Sequence, residues 1–210
     1  MAMNKIAIIG CGPGARECVT LEALAEIARA ETVIGTAHLL ELFPDMKAER
    51  IVVRGHRQET IDAIQQQEGR RVALLVTGDP GLASLASAVI QHCGTDTCRV
   101  LPGISSVQVA FARLGLSWEG ARIISAHAVA PAIDVESLLS ESKIAVLTGS
   151  AASMQWIALL ARKLGKEWRF VVAQDLTLHS ERIFDVQAEE LEALPGPIRA
   201  VIVCYRKSAA

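Results

Sequence analysis

The sequence predicts an α/β protein of two domains, the first built on a mostly parallel sheet and the second on a mixed one. Three observations carry this. The runs Ile6-Ala7-Ile8-Ile9 and Val72-Ala73-Leu74-Leu75-Val76 are apolar without alternation, as in strands covered on both faces. Strands and helices alternate through the first half, the order of parallel βαβ units. In the second half, residues 168–173, 182–186 and 199–205 read as strands with short connections, which favour antiparallel pairing.

The elements follow in order. After the first strand, Leu21, Leu24, Ala25 and Ala28 recur at helical spacing behind Thr20, a good N-cap. A strand at 32–34, a short helix at 37–42, a strand at 51–53 and a helix at 59–68 come next. The strand at 72–76 stops at Thr77-Gly78-Asp79-Pro80-Gly81, and 82–92 reads as a helix. Residues 99–101 form a short strand ending in Pro102-Gly103-Ile104-Ser105-Ser106, with a helix to about 114. Gly115 and Gly120 bracket a loop that divides the chain into domains 1–114 and 115–210. Beyond it, 122–125 is a strand, 133–142 a helix, 144–148 a strand closing on Gly149, 153–164 a helix, and 188–193 a short helix between the last two strands.

Composition excludes several classes. In 210 residues, 51% are hydrophobic, aromatics make up 4% and the formal net charge is −2, which speaks against a nucleic-acid surface. No apolar run reaches membrane-span length, and the N-terminal apolar stretch is too short and too early for a signal peptide. The five cysteines are odd in number and form no C-x-x-C pair, which predicts reduced thiols in a cytoplasmic protein. His38, His56, His92, His127 and His179 are scattered without metal-ligand spacing, so no metal is expected. No nucleophile-elbow motif is present, and no catalytic side chain is assigned.

Ile9-Gly10-Cys11-Gly12-Pro13-Gly14 is a glycine-rich turn at a strand end. A dinucleotide site there uses backbone N–H groups to hold a pyrophosphate. Pro13 has no N–H to offer, and the next strand ends on Gly35 where a ribose-gripping acid is expected. The turn therefore serves a ligand that needs close backbone approach but carries no phosphate. Three strand ends open into Gly- or Pro-containing loops, the place where open parallel sheets bind ligands.

Four segments in order, Gly10-Cys11-Gly12-Pro13-Gly14, Gly78-Asp79-Pro80, Pro102-Gly103-Ile104-Ser105-Ser106 and Leu147-Thr148-Gly149, make the chain resemble the tetrapyrrole methylase family over nearly its whole length. Val107-Gln108, Ala112-Arg113-Leu114-Gly115 and Ser125-Ala126-His127 look most like the branch that methylates carbon 5 of a precorrin or cobalt-precorrin in cobalamin synthesis. Two departures stand out. That branch usually has an acidic residue and proline where this chain has Gly149-Ser150, and Glu-Asn-Leu where it has Gln174-Asp175-Leu176. The resemblance implies S-adenosylmethionine (SAM) as cofactor, held between two α/β domains. Its pocket residues carry over as Ile9, Gly10, Gly12, Pro13, Gly78, Asp79, Leu82, Ser105, Ser106, Thr148 and Leu176. It also implies a homodimer and, because C5 methylation is coupled with C15 methylation and decarboxylation, a separate enzyme for the latter.

A polycarboxylate substrate needs cationic partners, and Arg16, Arg122 and His127 are the candidates. Plainer readings stand beside each assignment. Asp79 before Pro80 is a good turn former, Ser105 an ordinary helix N-cap, and the arginines solvated charges. The rival functions are methylation of another tetrapyrrole carbon, of RNA or of protein by the same fold, and, outside the class, a nucleotide-binding oxidoreductase or a non-catalytic ligand-binding module.

Overall fold

The computed structural model describes residues 6–127, 129–194 and 199–209. The chain divides into two compact units between Ser105 and Ser106. The first holds a five-stranded, wholly parallel sheet of β1 (Ile6–Gly10), β2 (Thr32–Gly35), β3 (Glu49–Val52), β4 (Val72–Val76) and β5 (Cys98–Leu101), in the order β3-β2-β4-β1-β5. The unbroken apolar runs of β1 and β4 are explained by cover on both faces. Ala7, Ile9, Ala73 and Leu75 pack with α1 (Leu21–Arg29) and α2 (Ala37–Leu40). Ile6, Ile8, Leu74 and Val76 share the opposite core with residues of α3 (Arg57–Gln65) and α4 (Ala86–Cys93). Thr20 caps α1 as expected, its hydroxyl accepting from Ala23 N at 3.2 Å.

The second unit carries a mixed sheet, β6-β7-β10-β8-β9, formed by β6 (Arg122–Ala126), β7 (Lys143–Thr148), β8 (Trp168–Gln174), β9 (Arg182–Val186) and β10 (Ala200–Arg206). Only β6 and β7 run parallel; the other pairs are antiparallel, and among these only β8 and β9 are joined by a short connection. One face is buried under α6 (Ala151–Leu164) and α7 (Ala188–Ala193). Helix α5 (Ser106–Arg113) packs on β10 and so goes with this unit. The loop expected to divide the chain, at Gly115 and Gly120, follows that helix.

Two expected helices change. The one read from Leu82 starts only at Ala86, because Ala83 sits at φ 48 and breaks the helical path. The one read over 133–142 shrinks to a 3-10 turn at Val135–Leu138. Polar side chains there compete for the backbone: Asp134 Oδ1 accepts from Glu136 N, and Ser137 Oγ donates to Asp134 O. Helix α6 starts two residues earlier than expected, behind a reciprocal Ser150–Ser153 capping box.

Candidate active site

Strand order decides the site of the first unit. β1 lies between β4 and β5, so the loops leaving their carboxyl ends are neighbours, although more than sixty residues separate the first from the second. Gly12 and Gly78 exchange two backbone hydrogen bonds, Gly12 N to Gly78 O at 3.3 Å and Gly78 N to Gly12 O at 2.8 Å. Gly10, Gly78 and Gly103 form a floor of bare backbone. A Cβ on Gly10 would lie 2.6 Å from Gly103 N and 2.8 Å from Gly78 O, and one on Gly103 would strike Gly78 O and the Gly10 main chain. Only glycine fits at Gly10 and Gly103.

Asp79 ties the floor together. Its Oδ1 accepts from Gly81 N at 2.8 Å and its Oδ2 from Gly103 N at 3.1 Å, joining the β4 loop to the β5 loop. Both carboxylate oxygens are thus engaged by backbone donors, which supports the turn-forming reading of this residue.

The N–H groups of Cys11 and Gly12 in the β1 turn are spent as well. Cys11 N donates to Val76 O at 2.9 Å, Gly12 N to Gly78 O, and Pro13 has none. At these three positions a pyrophosphate would find no donor. SAM fits it better: a sulfonium carries no phosphate and asks for close, unencumbered backbone. Buried Pro13 walls the turn. Ile9 is corrected in part, since its side chain is fully buried in the core and only its main chain remains for a ligand. Leu82 and Ser106 are half-buried, and Ser105 is buried immediately ahead of α5.

The second unit gathers its own group at one end of its sheet. Thr148 ends β7, Ala200 opens β10 and Gln174 ends β8, and the three strands are neighbours. The Thr148 hydroxyl donates to Ala200 O at 3.0 Å and accepts from Ala200 N at 3.2 Å, and the residue is only 3% exposed. Its side chain is therefore committed to the fold. Its carbonyl receives the His127 imidazole, Nδ1 at 3.2 Å. A Cβ on Gly149 would strike His127 O and lie 2.5 Å from Nδ1. Leu176, buried, sits between Asp175 at φ 49 and Thr177 at φ 71. That strained turn is held by Glu181, whose carboxylate accepts from Thr177 N at 2.6 Å and from Arg113 Nε at 2.8 Å. Arg113, and after it the Thr177 N–H, holds the Glu181 carboxyl below the usual carboxylate range.

The cationic candidates separate. Arg16 is exposed, donates to Leu42 O at 3.3 Å and lies over the Phe43 ring. Arg122 opens β6 whereas His127 follows its last residue. Roughly 16 Å of extended strand parts the two, so Arg122 does not join the Thr148–His127 group. The sequence motifs contained Gly103 and Gly149, but neither was singled out as a site residue. The sequence held no signal for the strained Thr177. Among the described residues no cluster of three or more metal-ligating side chains occurs, and no helix is long and apolar enough to cross a membrane.

The family model of tetrapyrrole (corrin/porphyrin) methylases matches residues 5–192. The chain belongs to the tetrapyrrole methylase family. It is similar to the cobalt-precorrin-7 C(5)-methyltransferase of Salmonella typhimurium, with 28% identity over 181 residues, 85% of this chain and 88% of that protein. Among solved structures it is similar to a cobalamin-biosynthesis precorrin-6Y methylase from Archaeoglobus fulgidus, with a TM-score of 0.76 and 27% identity over 97% of this chain and 98% of that one. The fold is shared by the uroporphyrin-III C-methyltransferase of Thermus thermophilus complexed with S-adenosylhomocysteine, with a TM-score of 0.76 and 19% identity over 96% of this chain and 92% of that one.

Proposed function

We infer that this methylase transfers a methyl group from SAM to carbon 5 of a precorrin or cobalt-precorrin in cobalamin biosynthesis. The observation that carries the cofactor half is the glycine floor of Gly10, Gly78 and Gly103 beside a turn in which the Cys11 and Gly12 N–H groups are spent and Pro13 has none. The carbon-5 half rests on the relatives that share most of the chain.

The cofactor, when bound, supplies an electrophilic methyl on a sulfonium. The chain's own part is to hold and orient. Gly10, Gly12 and Pro13 give main-chain contact, with Ile9 contributing backbone alone. The Gly78–Asp79–Leu82 loop and Ser105 belong to the same set of cofactor contacts, and Ser106 is a further one. Thr148 takes part through its main chain and Leu176 through apolar cover. Arg16 serves the carboxylates of the macrocycle by charge-assisted hydrogen bonds, and His127 is a second substrate-binding residue. Alignment of ring carbon, methyl and sulfur with exclusion of water supplies most of the rate. The protein works in the cytoplasm as a homodimer, and a separate enzyme carries out C15 methylation and decarboxylation.

The test is binding followed by turnover. S-adenosylhomocysteine should bind with micromolar affinity, about −8 kcal/mol, without competition from NAD. Cobalt-precorrin-7 with labelled SAM should then gain one methyl, placed at carbon 5 by NMR. Tight NAD binding with no response to S-adenosylhomocysteine would refute the cofactor assignment, and a methyl on another carbon would refute the substrate assignment.

A further inference from the structure

Methylating a ring carbon that bears hydrogen releases a proton. The ring's electron pair forms the new carbon–carbon bond, the sulfur–methyl bond breaks with its pair left on sulfur, and one proton must depart for conjugation to be restored. No acceptor for it follows from the cofactor pocket described above. There Asp79 is engaged by two backbone N–H groups and the Cys11 thiol is pushed up to about 12 by burial.

We propose that His127 accepts this proton through Nε2, with the Thr148 carbonyl and Gly149 as the seat that fixes its ring. The role rests on the carbon-5 methyltransferase reading and deepens it. A carbonyl oxygen can only accept, so the 3.2 Å contact makes His127 Nδ1 the donor. In the neutral imidazole that leaves the basic lone pair on Nε2. The same contact thus sets the tautomer and holds the ring in place.

The seat is rigid from below. Thr148 is clamped to β10 by its two hydroxyl bonds to Ala200, and so cannot turn its carbonyl away without breaking both. From the side, the absence of a side chain at Gly149 makes room for the ring: a Cβ there would lie 2.5 Å from Nδ1 and 2.9 Å from Cε1. The lack of a side chain at Gly149 lets an imidazole rest on the main chain of the β7 end. No carboxylate among the described residues bonds to His127. Glu181, the acid of the nearby strained turn, is occupied by Arg113 and Thr177 N. A histidine used only to anchor a substrate carboxylate does not need its tautomer set in this way.

Two measurements test the role. Long-range proton–nitrogen NMR of the histidine-labelled protein should show His127 as the Nδ1–H tautomer when neutral, and Gly149→Ala should abolish that signature. In turnover of cobalt-precorrin-7 with SAM, His127→Ala should lower kcat about 100-fold. Its S-adenosylhomocysteine affinity should stay within about twofold, and added imidazole should restore part of the rate. An Nε2–H tautomer overturns the proposal, as does a variant that keeps kcat and raises only KM, the mark of a carboxylate anchor. An unaltered chain that binds S-adenosylhomocysteine yet leaves carbon 5 unmethylated overturns the activity and this role together. An active chain with an unimpaired His127→Ala variant overturns the role alone.

Discussion

Replacing Gly103 by alanine probes the floor on which the cofactor assignment stands. The new Cβ would strike Gly78 O and sit 2.7 Å from Gly10 C and 2.8 Å from Gly10 Cα. These are main-chain atoms at the ends of β1 and β4, which are laddered to each other and to further strands, so they cannot swing aside as a side-chain tip does. The β5 loop must back away by roughly half an ångström or more, and overpacking of this kind costs ~1–3 kcal/mol. Backing away also stretches the 3.1 Å bond from Gly103 N to Asp79 Oδ2, and a hydrogen bond to a charged acceptor contributes ~1.5–3 kcal/mol. With partial relaxation the net loss should be about 3 kcal/mol, which for a chain of this size lowers Tm by ~6–12 °C. S-adenosylhomocysteine affinity should fall at least tenfold, because the floor itself moves. The control is Gly69→Ala, where nothing lies within 4 Å and only a φ of 85 opposes a side chain. It should cost about 1 kcal/mol and leave binding unchanged. Differential scanning calorimetry and titration calorimetry on both variants decide the matter. A Gly103→Ala protein that melts within ~2 °C of the parent and binds the cofactor product as tightly would refute the reasoning.

Two further outcomes follow from the same geometry. Asp79→Asn should be nearly as destabilising as Asp79→Ala, about 1–3 kcal/mol, because either amide orientation sets an NH2 against the N–H of Gly81 or Gly103; an asparagine variant as stable as the parent in urea unfolding would contradict this. Arg113 and Thr177 N lower the pKa of Glu181, so its contribution is complete above the ordinary carboxylate range and is lost as pH falls through the lowered value. The Tm margin of the parent over Glu181→Gln should accordingly shrink between pH 7 and about pH 3, and a margin that held at low pH would count against the Arg113–Glu181–Thr177 link.

Particular residues show how far the sequence could be read. The apolar runs of β1 and β4 and the Gly10–Gly14 turn marked a parallel sheet with a ligand end, and Pro13, with Gly35 in place of an acid, argued against a dinucleotide. Those inferences depend on chemistry local to a few consecutive residues. Gly103 and Gly149 needed more, because what makes each indispensable is an atom brought up by another strand, Gly78 O in one case and the His127 ring in the other. Ile9 and Thr148 were read as ligand contacts. Burial assigns the Ile9 side chain to the core, and a pair of hydrogen bonds commits the Thr148 hydroxyl to β10.

What the sequence determined by itself is the class of fold, the order of its strands along the chain, the loops that carry the ligand site and a cofactor without phosphate. These follow from periodicity, turn chemistry and the missing N–H of a single proline. Only the tertiary structure decided that β1 lies between β4 and β5, that Asp79 spends both oxygens on backbone, and that His127 rests on Gly149 with its Nδ1 at the Thr148 carbonyl. The reason is physical. Strand order, and the donors and acceptors it brings within 3 Å of each other, are set by packing between segments distant in sequence, and no local pattern records which segment will be the neighbour.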